Sequence, residues 1–160
     1  MNNLKKILLI AVAVLSFAAC GNDNEENKKN KDTVNSSLWV GNLTVTPENF
    51  QLDSLVVKTT CTSKTNTCKI EMNKVKFASA MPHQLDIIID GVSFSVSNGD
   101  TILSGANIAS QYDKEGELAD AGYLISSING KISNGKLTAT VEGTYKNTRQ
   151  INFLYEGTRK

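Results

Sequence analysis

Apolar and polar residues alternate along most of the chain from Leu38 onward. On the first such run, Trp39, Gly41, Leu43 and Val45 fall on one face and the residues between them on the other. The same period recurs around residues 55–59, 70–77, 85–96, 101–103, 124–132, 137–145 and 151–155. Alternation of this kind is typical of half-buried antiparallel strands. The pattern predicts about eight or nine short strands.

Glycine-containing turn signals separate several of these runs. Asn98-Gly99 and Asn134-Gly135 each lie between two alternating segments. Asn-Gly favours a two-residue hairpin turn, because a type I′ turn needs positive φ at both central positions. Asp90-Gly91 is a third candidate for such a turn. Strands close in sequence are therefore expected to pair as hairpins.

Two segments depart from simple alternation. The apolar phase changes at Asn73-Lys74, which predicts a β-bulge. Residues 106–121 show little periodicity, and we expect a long loop there with one helical turn. Beyond it, the pattern places Leu124, Ser126 and Ile128 on one strand face.

Sequential hairpins and only 2 prolines predict an all-β fold, an antiparallel up-and-down β-barrel of about eight strands over residues 38–160.

Most of residues 38–157 resembles a known family. The segment 75–82, VKFASAMP, is followed by 85–89, LDIII, and later by 129–131, NGK, and 137–139, LTA. Together with the start of the chain, these segments resemble Bacteroidetes calycin-like lipoproteins. The resemblance implies a small calycin/lipocalin-like barrel, related in shape to lipocalins and fatty-acid-binding proteins. Trp39 precedes Gly41 here, whereas lipocalins carry the glycine before the tryptophan, so the resemblance assigns no ligand residue.

The first 19 residues have the three parts of an export signal. Lys5 and Lys6 precede an apolar run of about 13 residues, which is shorter than the roughly 20 residues of a membrane-spanning helix. Small residues then lead to Cys20, and this resembles a bacterial lipobox, although Phe17 replaces its usual leucine. Residues 1–19 are therefore predicted to be a lipoprotein signal peptide and Cys20 the lipidated residue. The alternative is ordinary secretory cleavage after Ala19.

Residues 20–37 are predicted to be a lipid-anchored flexible linker. Apart from Val34 they carry almost no apolar side chain, so they cannot bury enough surface to offset the entropy of ordering. The acidic residues Asp23, Glu25 and Glu26 resemble an export signal for the cell surface. We expect an outer membrane lipoprotein that is exposed at the surface. The alternative is an acidic linker without an export role.

The two remaining cysteines are expected to form a disulfide. Cys61 and Cys68 flank six polar residues at the tip of a predicted hairpin, and the cell envelope is oxidising. A zinc site is the alternative, but it needs about four ligands, and only His83 and scattered carboxylates are available. We therefore predict no metal and no cofactor.

No catalytic constellation is found. His83 is the single histidine and has no recognisable nucleophile near it in the sequence. Asp86 and Asp90 are interpreted as solvated strand and turn residues, and the acidic stretch 113–120 does not have the spacing of a calcium loop. The formal net charge of +1 is much lower than the positive charge typical of proteins that bind nucleic acid. The sequence thus favours a protein that is not an enzyme and does not bind nucleic acid.

The predicted function is a non-enzymatic binding role in the cell envelope. A small apolar ligand is expected inside the barrel or at its mouth, because small barrels either fill their interior or hold one small ligand. The candidate ligand-binding residues are Trp39, Phe77, Phe94, Tyr145 and Phe153. The alternative is a module that binds an envelope protein, as an inhibitor or accessory subunit, through loops at one barrel end such as 61–68.

Overall fold

The computed structural model describes residues 33–46 and 48–160. Their regular structure consists of nine β-strands: β1 Val34–Thr46, β2 Phe50–Thr62, β3 Thr67–Val75, β4 Leu85–Ser97, β5 Asp100–Gly105, β6 Ile108–Lys114, β7 Glu117–Ser133, β8 Lys136–Tyr145 and β9 Arg149–Arg159. Within these residues, no helix is long and apolar enough to cross a membrane. The predicted signal peptide, Cys20 and most of the predicted linker lie outside the described residues.

The strands form a closed antiparallel barrel, as the sequence predicts. Strands consecutive in the chain pair with each other except for β5 and β6, and β9 returns to pair with β1, so that Phe153 lies opposite Val45. β5 and β6 together fill one position between β4 and β7. Leu103 of β5 pairs with Phe94, whereas Gln111 of β6 pairs with Ile88. Nine strands therefore occupy eight positions around the barrel.

Both Asn-Gly hairpins are confirmed. Asn98 and Gly99 have φ of 52° and 83°, and Asn134 and Gly135 have φ of 50° and 71°. These are the left-handed conformations that a type I′ turn requires. The two turns join β4 to β5 and β7 to β8 at the same barrel end.

The third turn candidate, Asp90-Gly91, is wrong. Gly91 has a φ of 84° but lies inside β4. The register with β3 changes here, because Ile89 pairs with Ile70 and Val92 with Cys68. Two residues thus oppose one, which is a β-bulge that bends the strand without reversing it.

The loop expected at residues 106–121 is also wrong. Residues 108–114 form β6, and β7 begins at Glu117. Glu115 and Gly116, with φ of 56° and 92°, make the connecting turn. Alternation is weak in β6 because its fully buried position is occupied by a polar residue, Ser110. The register with β7 is irregular there, since residues 121–123 of β7 oppose Ser110. The predicted bulge at Asn73-Lys74 is confirmed, since the β3 register shifts there and Lys74 has a φ of 57°.

In β7 the inward phase differs from the prediction. Tyr123 and Ile125 are buried, whereas Leu124 is 38% exposed. A register shift between Ile125 and Ser127 then moves Ile128 to the inside. The bulge therefore accounts for both the buried Tyr123 and the exposed Leu124.

The first strand begins before the predicted boundary at Leu38. Val34 pairs with Thr62 and Ser37 with Thr59, so the last part of the predicted flexible linker is a strand. These residues are mostly exposed and carry little apolar surface. These residues form a strand because their backbone groups pair with β2. The apolar–polar pattern of the sequence does not report such backbone pairing.

The barrel interior is filled by side chains. The largest fully buried ones include Trp39, Leu43, Ile87 and Leu103. Two small spaces lie between these packed side chains, with volumes of about 10 Å³ and 20 Å³. Each has room for about one water molecule. No ligand of more than a few atoms fits inside without displacing the core.

Candidate ligand site at the barrel mouth

A cleft of about 290 Å³ lies at one end of the barrel. This end carries the connections between β1 and β2, β3 and β4, β6 and β7, and β8 and β9. The connection between β3 and β4 is the longest of them, and its residues Phe77, Ala78, Met81, Pro82 and His83 line one side of the cleft. The volume is at the lower end of the range for small-molecule sites.

Aromatic rings form the floor of the cleft. Phe77 is 4% exposed, and its ring centroid lies 5.3 Å from that of Phe153 and 5.2 Å from that of Tyr123. Tyr123 in turn lies 4.7 Å from Tyr145. These spacings are typical of favourable aromatic pairs. The floor is therefore a fixed surface continuous with the core.

Aliphatic side chains complete the apolar lining. Val45 comes from β1, Leu85 from the start of β4 and Ile151 from β9. Met81 packs partly against the core, and the backbone N–H of Phe77 lies 3.1 Å from its Sδ. This contact folds the β3–β4 connection back on itself and holds Met81 at the cleft.

The rim of the cleft is polar. Arg149, the first residue of β9, donates from Nη2 to Oε1 of Glu48 in the β1–β2 connection. Both side chains are about half exposed, so the pair contributes little to stability. Gln150 also lines this rim. Charged and hydrogen-bonding groups thus surround an apolar floor.

Tyr123 is the most buried of the cleft residues that carry a polar group. It is 6% exposed, and its ring packs against those of Phe77 and Tyr145. Burial and the neighbouring Tyr145 raise the pKa of Tyr123, and Arg149 opposes that shift. The phenol therefore stays protonated at neutral pH and is available as a donor beside Arg149.

The five predicted ligand residues lie in three different places. Phe77 and Tyr145 line the cleft. Trp39 and Phe153 are buried in the core. Phe94 lies at the other barrel end, where its backbone N–H donates to the carbonyl of Asn66 at 2.9 Å.

Tyr123 and Arg149 are among the cleft residues that were missing from the predicted set. Tyr123 was overlooked because the pattern around Leu124 indicated the opposite strand phase. Arg149 follows the β8–β9 turn and carries no sequence signal of its own. Only the bulge in β7 and the pairing of β8 with β9 bring these residues together.

The disulfide between Cys61 and Cys68 is confirmed. The two residues pair directly across β2 and β3, and both are buried, at 9% and 0% exposure. The turn they close is exposed and lies at the barrel end opposite the cleft. Its Ser63 N–H donates to the carbonyl of Thr33 at 3.1 Å, which ties the turn to the start of β1.

The acidic residues considered in the sequence have local structural roles. Asp86 accepts from the backbone N–H of Lys74 at 2.7 Å, and Asp113 accepts from Gly116 at 2.7 Å. These contacts support the bulge in β3 and the β6–β7 turn. In residues 33–46 and 48–160, no group of three or more His, Cys, Asp or Glu side chains is placed to hold a metal ion.

Two wider grooves on the outer wall are shallow and open to solvent. One, of about 480 Å³, runs past Val40 and Lys136, and the other, of about 710 Å³, past Ser36 and Lys58. Neither has an apolar floor that would remove a ligand from water. The mouth cleft is smaller, but it alone among these three is walled by aromatic and aliphatic side chains.

Comparison with known proteins found no match. No family model matches the chain, no curated protein matches it, and no solved structure matches it.

Proposed function

We propose that this protein is a non-enzymatic binding lipoprotein of the cell envelope, which holds a small, largely apolar molecule in the mouth cleft. The single observation that carries the proposal is an apolar, aromatic-floored cleft of about 290 Å³ at the mouth of a barrel whose interior is otherwise filled. A ligand there removes apolar surface from water on both partners. Phe77 and Tyr145 are the predicted ligand residues that serve this role.

Binding is tested with a neutral probe, N-phenyl-naphthylamine, whose fluorescence rises in apolar surroundings. The wild-type protein is expected to bind it at a single site. Leu85→Trp is expected to abolish binding, because Leu85 lines the cleft and a larger ring fills it. Thr140→Trp, on the exposed outer face of β8, is the matched control and is expected to bind like wild type.

The proposal fails if the probe does not bind, or if both tryptophan variants bind it equally well. Thermal unfolding of the two variants checks that each remains folded. Equal binding by the two folded variants would mean that the probe sits elsewhere than in the cleft.

The envelope location rests on residues 1–20. A Cys20→Ala variant is expected to lose lipid labelling and to leave the membrane fraction. Protease treatment of intact cells then tests surface exposure. Survival of the protein on intact cells, with digestion after lysis, would argue against exposure.

A second candidate function is protein binding at the opposite barrel end. The observation that favours it is the exposed turn closed by the Cys61–Cys68 disulfide and tied by backbone hydrogen bonds to Thr33 and Phe94. A turn already fixed in shape loses little entropy when it binds a partner. Loss of partner capture in a Cys61→Ser, Cys68→Ser variant that still binds the neutral probe would favour this function.

A further inference from the structure

Two side chains that line the mouth cleft, Tyr123 and Arg149, can donate hydrogen bonds to a ligand. The hydroxyl of Tyr123 is on a ring held by Phe77 and Tyr145, at centroid distances of 5.2 Å and 4.7 Å. Tyr123 as a whole residue is 6% exposed, and its O–H can donate to an acceptor in the cleft.

The second donor is the guanidinium of Arg149. It is close enough to Tyr123 to oppose the rise in the pKa of that phenol. Glu48 engages only its Nη2 atom, and a guanidinium has five N–H groups. The remaining N–H groups are available to an acceptor in the cleft.

The polar groups around the floor favour an acceptor on the ligand. Arg149 and Tyr123 both offer hydrogen-bond donors, and the one carboxylate of the lining, that of Glu48, is already paired with Arg149. Hydrogen bonds between a guanidinium and an anion are stronger than those between neutral groups.

We propose that the ligand of the mouth cleft is a small amphipathic monoanion. Its anionic group accepts hydrogen bonds from Arg149 and from the Tyr123 hydroxyl, and its apolar part lies against the aromatic floor. This inference rests on the proposed binding function of the cleft. The filled interior leaves no room for a long alkyl chain, so the apolar part is compact, such as one or two rings.

Glu48 acts in this proposal as an internal competitor. Its carboxylate occupies part of the Arg149 guanidinium in the free protein. An incoming anion must share or replace that contact. Removal of the Glu48 charge is therefore expected to strengthen anion binding, which is a result that a merely structural ion pair would not give.

The test compares two probes with the same ring system. Anilinonaphthalene sulfonate carries an anionic group, and N-phenyl-naphthylamine lacks it. Arg149→Gln is expected to weaken binding of the sulfonate by roughly tenfold or more, and Tyr123→Phe by about fivefold, because each removes one hydrogen bond to the anion. Both variants should lose much less affinity for the neutral probe than for the sulfonate. Glu48→Gln should bind the sulfonate several-fold more tightly.

Arg159→Gln is the matched control. It removes one positive charge, but Arg159 lies over the Trp39 ring at a centroid distance of 5.4 Å and does not line the cleft. It is expected to leave the affinities of both probes unchanged. If Arg159→Gln and Arg149→Gln lowered the affinity for the sulfonate equally, the effect would come from net charge alone. That result would overturn the inference.

Other outcomes separate this inference from the function on which it rests. If Leu85→Trp blocks the neutral probe but Arg149→Gln affects both probes equally, the cleft binds ligands and the anion preference is wrong. Weaker or unchanged sulfonate binding by Glu48→Gln also contradicts the inference. If neither probe binds the wild-type protein, the proposed function itself fails.

Discussion

The indole N–H of Trp39 donates to the hydroxyl of Thr59 at 2.9 Å in the packed interior of the barrel. Trp39 is fully buried, and Thr59 is 2% exposed. The bond satisfies the polar group of the tryptophan, and Arg159 lies over the same ring. Trp39 is therefore part of the filled core towards the end opposite the cleft, and it is not available to line a ligand cavity.

Replacement of Thr59 by valine should destabilise the protein. Valine keeps the shape of threonine but leaves the buried indole N–H without an acceptor, which costs about 1–3 kcal/mol. Urea unfolding measures the loss. Thr60→Val, whose side chain lies on the outer face beside Ser36, is the control and should change stability by much less. An equal effect of the two variants would contradict the role given to Thr59.

Loss of the disulfide should lower stability without affecting the cleft. Removal of a crosslink that closes a short loop costs about 2 kcal/mol by freeing the unfolded chain. A Cys61→Ala, Cys68→Ala variant should therefore unfold at lower urea concentration and bind the neutral probe as wild type does. Reductant should destabilise the wild-type protein and leave this variant unaffected. Sensitivity of the variant to reductant would refute the explanation.

Gly41→Ala should disturb the seam between β1 and β9. A Cβ atom on Gly41 would lie 1.9 Å from the carbonyl oxygen of Glu156, and a backbone atom of this kind cannot move aside without opening the strand pair. A loss of at least about 2 kcal/mol is expected. Gly130→Ala, where the nearest atom is 3.2 Å away, should cost less than half as much in the same unfolding assay.

Alkaline pH should weaken the fold through Tyr155. Burial raises its pKa well above the ordinary value of 10.0, and its hydroxyl donates to the carbonyl of Leu55 at 3.2 Å. The unfolded chain ionises first as pH rises, so this contribution to stability is fully present below about pH 10 and is lost as the pH rises toward the folded-state pKa. Unfolding free energies measured above pH 10 should fall less steeply for Tyr155→Phe than for wild type.

The predicted ligand residues should separate into two groups in a binding assay. Tyr145→Ala removes an aromatic wall of the cleft and should weaken binding of N-phenyl-naphthylamine about threefold to tenfold. Phe94→Ala should not change the affinity, because Phe94 lies at the opposite barrel end. Fluorescence titration distinguishes them, and equal losses would place the probe outside the cleft.

Strand patterning predicted the architecture because alternation reports which face of a strand meets the core. In β8, for example, Leu137, Ala139 and Val141 are buried and the residues between them exposed, as expected. The pattern was misleading at bulges. A bulge shifts the phase by one residue, and the shift in β7 moved Tyr123 inward where Leu124 had been expected.

The strand periodicity, the Asn-Gly turns and the cysteine pair could all be recognised in the amino-acid sequence. Each of these depends on residues that are close along the chain, so local stereochemistry is sufficient to predict them. The filled interior could be recognised only in the folded barrel, because side-chain volumes from all eight barrel positions must be packed together before a void can be measured. The tertiary structure also decided the composition of the mouth cleft. Glu48, Tyr123 and Arg149 are far apart in sequence and meet there because barrel closure brings β1, β7 and β9 to a common end.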